Sequence, residues 1–249
     1  MDAPVQRTWF SPDQSRAWGE RFFLYYSPVW VAIVAIPMLA GWVRSWGDVG
    51  LTAIGLLVCV PPIVLPWFLA KDARARAYAN RVNLWIFVLS FFGNYFICRY
   101  FEDVLGLRYN FPTTWNLGAL ILGTKQMPIP ITMYLLTHAY FLTYHAAILV
   151  AWRRFGKGNL PVLIATCCFF AFLETATMAT PFLDGLFWYE SKTKMLTVGT
   201  LMYGSLFMVS APFVAKITPE TPYKQVALTV LAANMLQFWL FEAWARVLL

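Results

Sequence analysis

The chain has 249 residues, of which 60% are hydrophobic and only 12% charged, with a mean hydropathy of +0.59. That is more apolar surface than a soluble domain of this size buries in one core, so a lipid bilayer is its natural solvent. The net charge of +7 is carried by basic residues in short loops between apolar runs, a pattern that suits lipid headgroups and excludes the basic, aromatic-interleaved stripe of a nucleic-acid reader.

The N-terminal string MDAPVQRTWFSPDQSRAWGE is polar and lacks the basic, apolar and small-residue order of a cleaved signal, so the first apolar run is expected to stay in the protein. A span needs roughly 20 apolar residues to cross a hydrocarbon core of about 30 Å. That ruler predicts seven transmembrane helices at 23–43, 51–69, 82–101, 131–151, 160–180, 195–215 and 226–247. The fold class is therefore all-α, a polytopic membrane helix bundle, expected as one domain because no repeat or linker interrupts it. Twelve lysines and arginines fall nearest the loops on the side holding the N-terminus and seven nearest the other loops. The positive-inside rule then puts the N-terminus in the cytoplasm and the C-terminus across the membrane. The longest connection, 102–130, contains the apolar stretch Leu117 to Leu122 and is expected to lie partly in the interface. Cys59, Cys98, Cys167 and Cys168 all sit in apolar runs without metal-ligand spacing, which predicts neither a disulfide framework nor a metal site.

Ionisable groups deep in a bilayer are costly and usually face the bundle interior for a purpose. The functional shortlist is therefore Asn94 in the third span, His138 and His145 in the fourth, Glu174 in the fifth, Tyr203 in the sixth, and Asn234 and Gln237 in the seventh. Helical periodicity puts Tyr134, His138 and His145 on one stripe, with the histidines about 10 Å apart, and Asn83, Ser90 and Asn94 on another. Each offset from its span's midpoint, at about 1.5 Å per residue, places Asn94, His138, Glu174 and Tyr203 in one layer roughly 3 to 6 Å off the midplane, away from the N-terminal side. His145 falls on the opposite side of centre. The amides read first as interhelical glue, and His145 reads equally as a satisfied core histidine. Glu174, in CCFFAFLETATM, has no basic residue near it in its own helix and reads as functional. Glu102 and Asp103 follow Arg99 by three and four residues where the chain leaves the membrane, so they read as a surface ion-pair cluster. The aromatic residues read mostly as packing and interfacial belt, while also offering walls for a flat polycyclic ligand and π-faces for a cation.

The strings WGERFFLYYSPVW, NLWIFVLSFFGNYF, YFEDVLGLRYNFP, LLTHAYFLTYH and FLET resemble the cycloeucalenol cycloisomerase family, the cyclopropyl sterol isomerases of plant sterol synthesis. The similarity runs from Trp18 to Phe213. The stretch Thr114 to Pro130 looks longer than the family's corresponding loop, and Glu102 and Asp103 stand where the plant pattern has an apolar and a basic residue. Glu20, Asn94, Tyr95, His138, His145 and Glu174 match the family motifs. The resemblance implies a cofactor-free isomerisation of a 4α-methyl 9β,19-cyclopropyl sterol to a Δ8 sterol, with sterol and membrane lipid as partners. It implies residence in the endoplasmic reticulum if the source is eukaryotic and in the cytoplasmic membrane if bacterial.

The chemistry asks for a strong acid that delivers a proton to C19 and leaves a tertiary cation at C9, and for a base that takes the hydrogen from C8. Both hydrogens are on the β face, so one wall can serve both steps. The expected catalytic residues are Glu174 and His138, with His145 nearby. Asn94, Tyr95, Tyr203, Tyr134 and Glu20 are expected to orient the cluster or contact substrate. Two alternatives stand beside this reading: another sterol double-bond isomerase using the same proton-in, proton-out logic, and a non-catalytic sterol or lipid binder. A carrier would show inverted repeats with broken helices, and none is visible.

Overall fold

The structure is a computed structural model that describes residues 8–119 and 128–249. Among those residues seven helices are long and apolar enough to cross a membrane: α1 Gln14–Leu39, α2 Asp48–Leu69, α3 Ala73–Leu105, α4 Ile131–Gly156, α5 Leu160–Met178, α6 Lys192–Val214 and α7 Tyr223–Leu248. The chain is thus an all-α, multi-pass membrane protein.

Polar caps set the helix starts outside the apolar runs. Asp13 accepts from Arg16 N at 3.0 Å, so α1 begins nine residues before the predicted span; it ends at Leu39, just before Gly41, whose φ of 74° is left-handed. Asp72 starts α3 by accepting from Arg74 N at 3.0 Å and also takes the Ser15 hydroxyl at 2.7 Å. These bonds, the serine's first, hold the Asp72 carboxyl below the usual carboxylate value. Asn159 caps α5 through Val162 N at 3.3 Å.

The proline-rich helix α2 shows how its neighbours complete its backbone. Pro61, Pro62 and Pro66 lack the N–H groups that would bond the carbonyls of Leu57, Val58 and Pro62. Tyr26 of α1 donates its hydroxyl to Val58 O at 2.8 Å, with Leu57 O at 3.5 Å, and Asn83 of α3 donates Nδ2 to Pro62 O at 2.9 Å. Gly55 lets α4 approach closely, because a Cβ there would lie 2.8 Å from the Leu135 side chain.

α4 and α6 are the most enclosed spans, with 61% of their apolar windows buried, against 17% for α1 and 28% for α5. α4 packs against α1, α2, α3 and α5, while α6 lies between α5 and α7. Trp85, Tyr78, Phe207 and Phe241 fill the centre. At the end of the bundle away from the N-terminus, β1 (Leu107–Tyr109) pairs antiparallel with β4 (Phe187–Tyr189), and Leu107 faces Tyr189. A second pair, β2 (Asn116–Leu117) with β3 (Ile129–Pro130), leads into α4. Asp48 ties this end together by accepting from both the backbone N and the hydroxyl of Thr114, at 2.6 and 2.7 Å.

One sequence expectation is corrected here. Arg99 and Glu102 form an ion pair at 2.7 Å, but it is buried, with Glu102 at 0% exposure, because α3 continues to Leu105 and the following chain, including Ala119, covers it. The connection 102–130 contributes a last turn of helix and three short strands, and the part of Leu117 to Leu122 after residue 119 lies outside the described residues.

Candidate functional site

α4 and α5 run side by side, and their facing stripes meet at Glu174, four residues before the end of α5. Leucine, phenylalanine and alanine surround that carboxyl in its own helix, so its solvation must come from the neighbour. Tyr144 of α4 supplies it by donating its hydroxyl to Glu174 Oε2. The other oxygen has no hydrogen bond among the described residues. Glu174 is 3% exposed, and no basic side chain pairs with it among the described ion pairs.

Two cavities meet at this residue. The larger, of about 520 Å³, lies between the outer part of α1, the first half of α4, the end of α5 and the segment 180–187. Its volume falls in the range of roughly 300 to 1,000 Å³ that small-molecule sites occupy. Its walls are apolar and aromatic, with Trp30, Leu136, Met178, Phe182 and Phe187 among them, and its polar groups cluster at Tyr140, Thr143, Tyr144 and Glu174. Thr143 is held by Trp30 Nε1 at 2.9 Å and the Ser27 hydroxyl at 3.0 Å. α1 and α5, the least enclosed helices, flank this chamber. The smaller cavity, of about 60 Å³, lies behind Glu174 among α3, α4, α6 and the β1–β4 pair. Glu174, Tyr140, Met133, Met178 and Phe187 border both.

The residues expected from sequence divide clearly. Glu174, Asn94 and Tyr203 converge on the inner cavity. His138 borders neither cavity and makes no hydrogen bond to Glu174; its Nε2 donates to Asn83 Oδ1 at 3.0 Å, on the α3 side. The assignment of that nitrogen as donor follows from Asn83, whose Nδ2 is committed to the Pro62 and Ala79 carbonyls at 2.9 and 3.0 Å. The expected Glu174–His138 pair therefore gives way to a Glu174–Tyr144 pair. His145 is saturated: Nδ1 donates to Phe141 O at 2.8 Å, which leaves Nε2 to accept from the Ser210 hydroxyl at 2.8 Å. Tyr134 donates to Leu117 O at 2.9 Å, and Tyr95 stacks on Phe91 at 5.7 Å; neither lines a cavity.

Glu20 sits at the opposite end of the bundle. Arg153 grips it through two bonds of 2.6 and 2.9 Å, and Ser11 N donates to it at 2.9 Å, so this motif residue fastens the N-terminal segment to α4. Sequence reasoning missed Tyr140, Tyr144 and Thr143. Their signal is the stripe Met133, Thr137, Tyr140 and Tyr144 at helical spacing in the same motif as the histidines, rotated about 100° from the histidine stripe. Among the described residues no cluster of three His, Cys, Asp or Glu side chains is placed to hold a metal ion.

No protein-family model matches the chain, and no solved structure matches it. It is similar to a protein of Arabidopsis thaliana named cycloeucalenol cycloisomerase, with 32% identity over 95% of this chain and 88% of the plant protein. At that identity over nearly the whole length, this membrane-embedded chain belongs to the cycloeucalenol cycloisomerase family and is an isomerase.

Proposed function

We propose that the protein opens the 9β,19-cyclopropane ring of a 4α-methyl cyclopropyl sterol of the cycloeucalenol type to give a Δ8 sterol, and that Glu174 is the acid and base of the reaction. The observation that carries this reading is a large apolar chamber, flanked by the two least enclosed helices, with one carboxyl on its wall and aromatic side chains around it.

In the protonated form, Glu174 gives its proton to C19 as the C9–C19 bond breaks and supplies the electron pair of the new C19–H bond. The C9 cation that remains is shielded from water by the apolar walls, and the rings of Tyr140 and Tyr144, which line the chamber, stabilise it. The Glu174 carboxylate then removes the C8 proton, and that C–H pair becomes the C8=C9 double bond. Both hydrogens lie on the β face, so one carboxyl in one place suffices, and it ends the cycle protonated as it began. Tyr144 steadies the carboxylate between the two steps by the hydrogen bond it already makes.

Incubating the purified protein with cycloeucalenol and identifying the sterols by mass spectrometry and NMR tests the proposal. A Δ8 product with a new C19 methyl is expected. An intact cyclopropane with bound sterol would favour a binder, and turnover only of a ring-opened sterol would favour a double-bond isomerase.

A further inference from the structure

The smaller cavity behind Glu174 has no role in that reaction as written, because a sterol does not fit about 60 Å³. Water does. A bound water needs about 10 to 15 Å³ by this measure and two to four polar partners, so the cavity has room for several.

The walls supply those partners. Asn94 donates Nδ2 to Ser90 O at 2.9 Å, which leaves its Oδ1 without a hydrogen bond among the described residues. The Tyr140 hydroxyl stands beside those of Thr137 and Tyr203. Tyr109, in contact with Cys98 Sγ at 3.4 Å, and Tyr189 continue the polar lining toward the β1–β4 pair that closes this end of the bundle.

The backbone is also arranged for it. α3 opens into a wider π-turn at Gly93–Ile97 and α6 into another at Met195–Gly199, and Gly93, Asn94, Ile97 and Met195 all border the cavity. A π-turn inserts a residue into an α-helix and is frequent at functional sites. Two of them, on separate helices, border one small cavity whose mostly apolar walls carry these polar groups.

Resting on the reaction proposed above, we infer that the inner cavity is a water-filled proton-exchange site that returns the Glu174 carboxyl to equilibrium with solvent between turnovers, through Asn94, Tyr140 and Tyr203. The exchange is balanced: the proton that Glu174 takes from C8 leaves to a cavity water, and the water gives one of its own back to the carboxyl. Without it, the C8 proton of one sterol would be handed directly to C19 of the next. The large chamber excludes water so that the C9 cation is not trapped, and the small one admits it where it cannot reach C9.

The test supplies sterol deuterated at C8 in ordinary water and follows deuterium at C19 of the product. The parent enzyme is expected to put almost none there, and to place one solvent deuterium at C19 when unlabelled substrate is turned over in deuterated water. Asn94→Leu, which removes the open acceptor and fills space, and Tyr203→Phe, which removes a hydroxyl, are expected to raise the transfer from C8 to C19 and to cut the solvent label by half or more. A variant that is slow only because its structure is damaged would have more time to exchange and would shift the label the other way. Substantial transfer from C8 to C19 in the parent enzyme would overturn the inference, as would unchanged label in both variants. A parent enzyme that leaves the ring closed would instead overturn the reaction itself.

Discussion

Replacing Glu174 with Gln tests the site at its centre. The amide keeps the shape of the carboxyl and still accepts from Tyr144, so packing and sterol binding are expected to survive. What it loses is a proton that can leave and return, and a positioned acid or base contributes roughly 10²- to 10⁴-fold. Turnover is therefore expected to fall by at least the lower bound. Tyr144→Phe removes one hydrogen bond to a group that is charged in mid-reaction, worth about 1.5 to 3 kcal/mol. At about 1.36 kcal/mol per decade that is roughly 10- to 150-fold, so the tyrosine variant should lie between Glu174→Gln and the parent. The double variant should be little worse than Glu174→Gln alone, because groups that act as a unit are not additive. His138→Gln, whose side chain faces Asn83 rather than either cavity, should cost less than both single changes. The assay is product formation at saturating sterol in lipid vesicles, quantified by mass spectrometry, with sterol binding measured on the same preparations. Near-parental turnover by Glu174→Gln, or a larger loss at His138 than at Glu174, would refute the assignment.

Other measurements reach different parts of the argument. A sterol-shaped tertiary amine, protonated in the chamber, should bind more tightly than its neutral isostere because it mimics the C9 cation, and competition binding showing equal affinities would remove the case for that intermediate. Glu20→Gln breaks a pair in which the carboxyl is 1% exposed, which typically costs about 3 to 5 kcal/mol, so thermal unfolding in detergent should move to clearly lower temperature; an unchanged midpoint would mean the N-terminal segment is not fastened there. Reporter fusions at the two ends should read opposite compartments with the N-terminus cytoplasmic, and the same compartment at both ends would contradict seven spans.

How far the site can be read from sequence depends on which coordinate is asked for. Depth needs only the rise of about 1.5 Å per residue and the limits of a span. It brings Asn94, His138, Glu174 and Tyr203 into one layer before any helix is packed, and the inner cavity is bordered by all of them except His138. Rotation about the helix axis is set by partners, and α4 carries two polar faces that the sequence does not rank. One bears His138 and His145, the other Tyr140 and Tyr144. Histidine looks the more suspicious in a membrane helix, so that face draws attention, whereas the cavities are bordered by the tyrosine face.

The decision is made far away, on α2. Pro66 cannot bond the carbonyl of Pro62, so Asn83 turns its amide toward it, and the oxygen on the other side of that amide is then fixed toward α4 as an acceptor for His138. One ring nitrogen of the histidine, Nε2, is held by a neutral chain of bonds that begins with a missing N–H on another helix, while Nδ1 is buried without a hydrogen bond among the described residues. An imidazole can be accommodated in this way because it is neutral in its commoner form, so one unpaired nitrogen costs far less than a buried charge. A carboxyl has no such option in a stretch of phenylalanine and leucine: it must find a donor, as Glu174 finds Tyr144, and its remaining oxygen is left to face whatever space adjoins it. In an apolar bundle the lone carboxyl is therefore the firmer guide to a polar centre beside a cavity, and the face of the neighbouring helix that matters is the one that can donate to it.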